Sequence, residues 1–475
     1  MGAAVGLGLR LAGIRLAGAR AMPRHVRWVV TTLVGHGFRA HAVGGAVRDL
    51  LWGRRPIDWD VATSAEPRYV LSVFPRAIPT GVRHGTVTVL CPAPEASSPP
   101  QVDVTTYRAE GPYSDLRHPD SVRFGVSLAE DLGRRDFTVN ALALGLEGRV
   151  TDPFGGRRDL VRRLIRCVGD PDKRFAEDAL RMMRAVRLCA DLSFGLDRAT
   201  AQAIRAYAAL LPRIAVERVR EEFDRCLVGP APGRALELMR TLGLLGFVAP
   251  ELLEGVGFEQ NEHHAHTVWE HTLETVAKVP ADLPLRLAAV LHDVAKPRTL
   301  SVEDGRRHFL GHEKVGAELA AAILSRLRYD RATTDKVVHL VRHHMGHWQP
   351  EMKDAAVRRL INRVGPENIP DLVALRRADR QAAGPQEGPT GPRTAVLLVR
   401  IERLVREDQA FTIADLAITG EDVIRVARIP PGPQVGLILR RLLEEVLETP
   451  TLNESSRLEE RVREMVHPAT RPGTR

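Results

Sequence analysis

The stretch Val43–Thr63, VGGAVRDLLWGRRPIDWDVAT, decides the fold and the chemistry of this 475-residue chain. Its Gly-Gly pair predicts a turn whose backbone N–H groups can approach an anion, before a helix whose N-terminus adds positive potential. The Ile57–Val61 segment predicts a β-strand, in which the period of two places Asp58 and Asp60 on one face. Adjacent carboxylates repel each other unless a cation lies between them, and Mg²⁺ is the oxygen-preferring cation that accompanies phosphates. The stretch therefore indicates a metal-dependent phosphoryl- or nucleotidyl-transfer site.

A D-x-D pair by itself is weak evidence for a metal site, but here it follows a G-G-x-V-R-D motif by nine residues. The combination resembles the first motif of the nucleotidyltransferase superfamily that includes DNA polymerase β. Its form is similar to that of the tRNA CCA-adding enzymes and bacterial poly(A) polymerases of class II. The resemblance implies that Asp58 and Asp60 bind Mg²⁺, and that Gly44, Gly45 and Arg48 steady the triphosphate of an incoming nucleotide.

The composition favours a globular protein with a polyanionic partner. The net charge is +9 and the pI about 9.8, and nearly all of the positive charge is Arg. Contacts to phosphates release counterions, so such a charge favours nucleic-acid binding, although an Arg-rich chain can also reflect genomic composition. Aromatic residues make up only 5% of the chain, which argues against base stacking on an aromatic platform.

Cysteine usage and hydropathy indicate the compartment. Four cysteines are far apart and form no C-x-x-C pair: Cys91, Cys167, Cys189 and Cys226. This spacing excludes a zinc cluster and a secreted disulfide framework, and it predicts a reducing, cytoplasmic location. No apolar run approaches the roughly 18 residues of a membrane span, so no membrane partner is expected.

A third carboxylate is expected on a strand over Gln101–Thr106. Asp103 alternates with apolar Val102 and Val104, so it can lie beside the first two aspartates on one sheet. The segment from Asp103 resembles the family's E-V-T-T-F-R run, with Asp in place of Glu. The resemblance implies that Asp103 completes the catalytic set with Asp58 and Asp60 and helps to activate the attacking hydroxyl.

The run RRDFTVNA at residues 134–141 matches a specific family motif. It combines guanidinium groups, which bind phosphate bidentately, with Asp and Asn side chains that can bind ribose hydroxyls. The resemblance implies that Arg135, Asp136 and Asn140 hold the ribose and triphosphate. Arg134 is expected to pair with Asp131 as a structural contact.

Residues 174–184 predict a helix in which Asp178 and Arg181 share one face. An intrahelical salt bridge is the general interpretation of such a pair. The E-D-x-x-R pattern, however, resembles the family's base-reading motif, in which an Asp acceptor and an Arg donor match the Watson–Crick edges of cytosine and adenine. The resemblance implies selection of CTP and ATP by Asp178 and Arg181, with Glu177 positioning Arg181 and with Arg184 also binding nucleotide. A later segment, residues 213–222, resembles the family's fifth motif and is interpreted as bracing the neck helices.

A second cluster of His and Asp residues lies between residues 261 and 380. Imidazoles and carboxylates on successive helices can converge on a divalent transition metal. The order of these residues resembles the H…HD…D pattern of HD-superfamily phosphohydrolases. The resemblance implies four core ligands, His271, His292, Asp293 and Asp379. It leaves His312 and His344 as candidates for a second metal or for substrate phosphate.

The predicted fold class is α+β, with a polymerase-β-like head that contains a small sheet, an all-α neck and body, an all-α HD domain and a helical tail. The predicted boundaries are an N-terminal extension at 1–22, the head at 23–150, the neck at 151–212, the body at 213–260, the HD domain at 261–385 and a linker with tail at 386–475. For residues 1–22, a basic arm and a targeting peptide are alternatives, and Arg10 and Arg15 favour a misassigned start codon.

Together the motifs predict a class II CCA-adding tRNA nucleotidyltransferase with a fused HD domain, whose partners are tRNA, CTP and ATP. The 3′-hydroxyl of tRNA would attack the α-phosphate of each nucleotide and release pyrophosphate. An A-adding enzyme, a CC-adding enzyme and a poly(A) polymerase remain alternatives from the same family. Alternatives of another class are an HD phosphohydrolase whose head only binds RNA and a non-catalytic tRNA-binding protein. The sequence does not determine the oligomeric state.

Overall fold

A mixed sheet of seven strands supports the site in the N-terminal part of the chain. The strands of this part are β1 Ala40–Val43, β2 Asp60–Thr63, β3 Ala77–Gly81, β4 Thr86–Leu90, β5 Gln101–Thr106, β6 Arg108–Glu110, β7 Val122–Phe124, β8 Ala143–Leu144, β9 Val150–Thr151, β10 Leu164–Ile165 and β11 Gly195–Leu196. The order in the large sheet is β3-β4-β5-β2-β1-β8-β9, and β6 with β7 and β10 with β11 form two small sheets.

The computed structural model describes residues 21–92, 99–113, 119–260, 266–345, 351–383, 391–407 and 410–466. Nearly all of the predicted extension 1–22, part of the Pro/Gly linker and the last residues of the tail therefore lie outside the described residues. The chain forms two compact units, one up to Pro250 and one from Glu251.

The register of the central strands brings two carboxylates together. Val43 on β1 pairs with Asp60 on β2, and Asp60 pairs with Asp103 on β5. The β2–β5 pair is parallel, whereas the other pairs of the large sheet are antiparallel. Strand β5 buries Val102 and Val104 and exposes Asp103, as the alternation predicts.

The predicted strand Ile57–Val61 is wrong at its start, because β2 begins at Asp60. Pairing with β1 stops at Val43, since the next residue, Gly44, has a φ of +78° and turns the chain into a helix. Asp58 therefore precedes the strand in an exposed segment, and only Asp60 of the two aspartates belongs to the sheet.

The first unit contains eleven helices within its described residues. They are α1 Arg24–Gly35, α2 Gly45–Trp52, α3 Pro67–Val73, α4 Leu128–Gly133, α5 Gly156–Arg162, α6 Pro171–Glu177, α7 Leu180–Leu192, α8 Arg198–Tyr207, α9 Val216–Val228, α10 Pro232–Thr241 and α11 Leu245–Val248. Helix α1 buries Val26, Val29, Val30 and Leu33 at the predicted helical spacing.

The continuous helix predicted over residues 174–184 is also wrong. Helix α6 ends at Glu177, Asp178 has extended backbone angles of φ −143° and ψ 103°, and α7 begins at Leu180. The Asp178 carboxylate accepts a hydrogen bond from the backbone N–H of Leu180 at 3.0 Å. Asp side chains compete in this way for backbone donors at helix starts, which explains the break.

The second unit is helical apart from a short hairpin of β12 Ser301–Glu303 and β13 Arg306–His308. Its helices are α12 Val268–Lys278, α13 Leu283–Leu291, α14 His312–Arg326, α15 Arg331–His343, α16 Asp354–Val364, α17 Ile369–Ala382, α18 Gly391–Glu407, α19 Gly420–Ala427, α20 Pro433–Glu448 and α21 Ser455–Val466. In the tail, α20 packs on α16, where Arg359 bonds Glu444 and Glu448 at 2.9 and 2.7 Å. The predicted α+β class with a helical body and tail is confirmed.

Among the described residues, no helix has both the length and the apolar character needed to cross a membrane.

Candidate active site

The carboxylates predicted to bind metal in the head lie where β2 and β5 begin to pair. Asp60 and Asp103 are direct neighbours across that pair. Desolvation raises the pKa of Asp60, Arg135 lowers it, and the charges of Asp103 and then Asp58 raise it further. The influence of Asp58 places it in the same electrostatic environment, although it stands outside the strand. The three carboxylates supply oxygen donors, the ligand type that a hard divalent cation prefers.

The turn at Gly44 brings backbone close to this set. A Cβ at Gly44 would lie 3.2 Å from Nη1 of Arg135 and 3.7 Å from Oδ2 of Asp60. At Gly45 a Cβ would lie 3.5 Å from Nη2 of Arg48. The positive φ and the close approach of a guanidinium both explain a glycine at residue 44.

A continuous hydrogen-bonded network joins Arg48 to α7. Arg48 donates through Nε to Asp49 at 2.8 Å and through Nη1 to Oδ1 of Asn140 at 2.7 Å. Asn140 donates to Oδ1 of Asp136 at 3.1 Å. Arg184 donates through Nε and Nη2 to Oδ2 of Asp136 at 2.9 and 2.6 Å. Every polar side chain of this network restrains the next.

Asp136 is ionised at the centre of the network. Burial alone would raise its pKa, but the charge and hydrogen bonds of Arg184, with those of Asn140 and the Phe137 N–H, lower the pKa to about 2. Arg135, the residue before it, has its Nε buried without a hydrogen-bond partner in the described part of the chain. An orphaned guanidinium donor beside a cavity is suited to an incoming phosphate oxygen.

The residues predicted to read the base come from the helix break. Arg181 donates to Oε2 of Glu177 at 2.7 Å, as predicted, and to the carbonyl oxygen of Arg134 at 3.3 Å. The second carboxylate oxygen of Asp178, Oδ2, lies 3.5 Å from Nη2 of Arg218. The sequence pattern predicts that the segment around Arg218 braces the neck, and it does not predict the position of Arg218 beside Asp178. The E-R-x-R-E-E pattern on α9 carried no signal of a site.

One cavity of about 310 Å³ collects most of these side chains. Its walls are Gly44, Gly45, Asp60, Arg134, Arg135, Asp136, Asn140, Asp178, Leu180, Arg181, Arg184 and Arg218. Asp58, Asp103 and Arg48 are not part of this lining. Arg134 bonds Asp131 at 3.0 Å, as predicted, and Glu110 at 2.9 Å.

The six residues predicted for the second site converge on Asp293 in the second unit. On its Oδ2 side, Nε2 of His271 is at 3.5 Å and Nε2 of His292 at 3.2 Å. On its Oδ1 side, Nε2 of His312 is at 3.4 Å and Nε2 of His344 at 3.7 Å. Two groups of donors that could hold a metal ion therefore share one carboxylate.

Asp379 closes the first group. Its Oδ1 lies 3.1 Å from Nε2 of His271. Burial would raise the pKa of Asp379, but the hydrogen bond from His271 and the charge of Arg376 hold the pKa well below its usual range.

The histidine rings are oriented for ligation. Nδ1 of His292, His312 and His344 lies 2.8, 2.7 and 2.6 Å from the backbone carbonyl oxygens of Ala289, Phe309 and Val341. A carbonyl acceptor fixes a proton on Nδ1, so that Nε2 is the ring atom that faces Asp293 and is available to a metal ion. Burial also lowers the pKa of His344 to about 4, which keeps that ring neutral.

Lys296 is a member of this site that sequence analysis did not single out. Its ammonium lies 2.7 Å from Oδ2 of Asp293 and donates to Oε1 of Gln260 at 2.6 Å. The residue is buried, and its position three residues after Asp293 was the available signal.

The geometry defines a class of protein, a polymerase-β-like nucleotidyltransferase that also carries a cluster of His and Asp donors of the HD type. Family models agree with it: residues 40–166 match a poly(A) polymerase head domain, 193–255 a probable RNA- and SrmB-binding site of polymerase A, and 264–384 an HD domain.

Two relatives are similar to this chain over most of its length. An A-adding tRNA nucleotidyltransferase of Deinococcus radiodurans is 38% identical over 85% of this chain and 91% of its own. A CCA-adding enzyme of Geobacillus kaustophilus is 36% identical over 90% of this chain and 94% of its own. CCA-adding enzymes of Geobacillus sp. and Anoxybacillus flavithermus are 50% and 49% identical over 46% and 47% of this chain, which is 52% and 55% of their own length.

The solved structure of the Bacillus stearothermophilus CCA-adding enzyme in complex with CTP superimposes with a TM-score of 0.71, at 32% identity over 94% of this chain and 99% of that chain. The chain belongs to the class II family of bacterial tRNA nucleotidyltransferases and poly(A) polymerases, with a fused HD domain. It is a nucleotidyltransferase, and its family uses a divalent metal.

Proposed function

We propose that the protein adds C, C and A to the 3′ end of tRNA from CTP and ATP, without a nucleic-acid template, and releases pyrophosphate. The observation that carries this proposal is the single cavity whose wall includes Asp60, Arg135 and the pair Asp178 and Arg181. The phosphates of one bound nucleotide can therefore lie near the carboxylates of the head, while its base lies near Asp178 and Arg181 in the neck.

Base selection would rest on hydrogen-bond order. Cytosine and adenine each present an exocyclic amine donor next to a ring-nitrogen acceptor, whereas guanine and uracil reverse that order. Asp178 offers acceptors and Arg181 offers donors, and both are already held by protein contacts. A site whose polar groups are fixed in advance rejects the reversed pattern, because its buried donors and acceptors would be left unpaired.

The head carboxylates suit magnesium. Asp58, Asp60 and Asp103 supply only oxygen ligands, and the charges of Asp103 and Asp58 add to the desolvation that raises the pKa of Asp60. Two bound Mg²⁺ ions would lower the pKa of the attacking 3′-hydroxyl and neutralise charge on the leaving pyrophosphate.

The remaining work falls to the chain's own residues. Asp103 would orient the attacking hydroxyl and accept its proton. Arg135 and the turn at Gly44 and Gly45 would bind the phosphates, because all three residues line the cavity and Arg135 brings a positive charge to it. Asp136 and Asn140 would hold the ribose, and Arg184 fixes both through the network described above.

The product is decided by supplying nucleotides one at a time. Purified protein is incubated with tRNA transcripts that lack the last three, two or one residues, with labelled CTP, ATP, GTP or UTP alone and with CTP and ATP together. Addition of two C residues followed by one A supports the proposal. Addition of A only to a transcript ending in CC would replace it with an A-adding activity, and a long A tract would replace it with poly(A) synthesis.

We propose a second activity for the other unit, hydrolysis of phosphoesters by a divalent transition metal. Four His side chains surround Asp293, Asp379 lies beside His271, and three of the rings are locked by backbone carbonyls. Imidazole and carboxylate donors together favour a transition metal over Mg²⁺. His271, His292, Asp293 and Asp379 would hold one ion, with His312 and His344 available to a second.

The test uses 2′,3′-cyclic nucleotides and p-nitrophenyl phosphate with added Mn²⁺, Co²⁺, Ni²⁺ or Zn²⁺. Hydrolysis should survive Asp58→Ala and disappear in Asp293→Ala. Absence of hydrolysis and of bound metal in every condition would contradict the second activity without affecting the first.

We propose that residues 23–150 carry the transfer chemistry, that 151–212 select the base, that 213–260 contact tRNA by charge and shape, and that 261–385 hold the HD centre. A cytoplasmic location is proposed as well, because all four cysteines are buried free thiols.

A further inference from the structure

A row of hydroxyl groups crosses three strands and ends on a carboxylate. Thr88 on β4 is the direct partner of Asp103 on β5. Oγ1 of Thr88 donates to Oδ1 of Asp103 at 2.6 Å, and Oγ1 of Thr80 lies 2.9 Å from Oγ1 of Thr88. Thr88 is only 7% exposed, so water has little access to its hydroxyl.

The direction of this chain follows from counting protons. A threonine hydroxyl has one hydrogen to donate and two lone pairs that accept. Because Thr88 gives its hydrogen to Asp103, the contact with Thr80 must run the other way, with Thr80 as donor. The order is therefore Thr80 to Thr88 to Asp103, and each donated bond strengthens the next.

We propose that Thr88 is a positioning residue for Asp103, an inference that rests on the proposed nucleotide addition. Its hydroxyl occupies Oδ1 and holds the carboxylate in one rotamer, so that Oδ2 is presented to the metal and the primer hydroxyl. An Asp side chain has one methylene between backbone and carboxylate, so a single hydrogen bond is sufficient to fix its orientation. Nothing in the sequence marks this threonine, because it reaches Asp103 only through the β4–β5 register.

Strand β4 supplies a matched control. Thr86 lies two residues before Thr88 on the same face, and its hydroxyl is 3.1 Å from that of Thr105 rather than from a carboxylate. Thr86→Val and Thr88→Val therefore remove the same atom from the same strand, and only the second uncouples a carboxylate.

The kinetic test compares Thr88→Val, Thr88→Ser and Thr86→Val in CTP addition to a tRNA that lacks its last three residues. Loss of a group that orients a metal ligand costs about 10- to 100-fold in activity or metal affinity. We expect kcat of Thr88→Val to fall by at least about tenfold with little change in the KM for CTP. Thr88→Ser should recover most of kcat, and Thr86→Val should resemble the wild type.

A binding test removes the dependence on turnover. Mn²⁺ affinity in the presence of CTP is measured by electron paramagnetic resonance in a His292→Ala background, which weakens the HD centre. Thr88→Val should bind Mn²⁺ about tenfold more weakly than its background, and Thr86→Val equally well. Melting temperatures of all variants show whether they are folded.

The outcomes separate the two proposals. Equal effects of Thr86→Val and Thr88→Val, or no rescue by Thr88→Ser, would overturn the role of Thr88 and assign the change to packing of β4. A wild-type protein that adds no nucleotide would overturn the proposed function, and the Mn²⁺ measurement would still decide on Thr88.

Discussion

The two sites handle charge in opposite ways. In the head, arginines and carboxylates line an open cavity, and most of them are paired with one another before any substrate binds. In the HD centre, buried imidazoles surround one shared carboxylate, and their lone pairs point inward. The head is therefore built to receive a polyanion, whereas the HD centre is built to receive a cation.

The difference appears in how each site is held. The head network joins three segments that are distant in sequence, which carry Arg48, the pair Asp136 and Asn140, and Arg184, so its shape depends on the tertiary fold. Each of the three anchored HD rings is instead fixed by a carbonyl three residues earlier in its own helix or turn. The side chains of the HD centre are thus oriented by contacts within one helix or turn, whereas those of the head are oriented by contacts between distant segments.

The largest expected effect separates the two sites completely. Asp60→Asn removes one charge from the head without changing its volume. It should lower nucleotide addition by at least about 10³-fold, equivalent to several kcal/mol of lost metal stabilisation. Asp293→Asn should abolish the phosphoester hydrolysis and leave nucleotide addition within about twofold, because it lies in the other unit. Both activities are measured on both variants, and loss of both activities in either variant would show that the sites are not independent.

The next effect concerns base choice in the head. Arg181→Met removes the donor predicted to read the base, and discrimination of CTP and ATP against UTP and GTP should fall by about 10- to 100-fold. Arg174→Met is the control, because Arg174 bonds the same Glu177 at 2.6 Å but does not line the main cavity. Relative kcat/KM for the four nucleotides is the measurement. Equal loss of selectivity in both variants would assign the effect to Glu177 rather than to Arg181.

The HD centre was the more predictable of the two sites. Its six predicted residues meet around Asp293, because their order along the chain and the one-turn geometry of each helix already restrict where they can lie. Lys296 was missed although it lies one turn after Asp293, since a lysine in a helix is usually a solvated residue.

The head was predictable only in part. Strand periodicity predicted that Asp103 faces the same way as Asp60, but it extended the strand to Asp58, because the turn at Gly44 that ends the pairing belongs to another strand. Helical periodicity likewise predicted one helix that continues through Asp178. The side chain of Asp178 breaks that helix and meets Arg218 from α9, and a contact across 40 residues leaves no local pattern.

A smaller effect concerns the pH dependence of the free energy of unfolding, to which the head contributes through Asp136. The folded-state pKa of Asp136, about 2, is below its ordinary value of 3.8, so its ionised form stabilises the fold above about pH 4. That contribution, about 2 kcal/mol from the pKa difference, is lost as the pH falls from about 4 to 2. Asp136→Asn should therefore lower the free energy of urea unfolding at pH 6, and the difference from the wild type should shrink below pH 4. Exposed Glu221→Gln is the control, and a pH-independent difference for Asp136→Asn would contradict the ionic origin.

The smallest effect tests whether the head cavity tolerates any new atom at its turn. Gly44→Ala places a Cβ 3.2 Å from Nη1 of Arg135, at a φ of +78°. Gly37→Ala also introduces a side chain at a positive φ, +85°, but no atom lies within 4 Å of the new Cβ. Both should lose about 1 kcal/mol of stability, because an L-residue is strained in the left-handed region. Only Gly44→Ala should raise the KM for CTP, by about tenfold, since it displaces a charged hydrogen-bond donor from the phosphate position. The HD residues lie in the other unit, so phosphoester hydrolysis should be unchanged in both variants. Unchanged KM in Gly44→Ala would mean that Arg135 moves freely, and the head would then be less preorganised than its hydrogen bonds indicate.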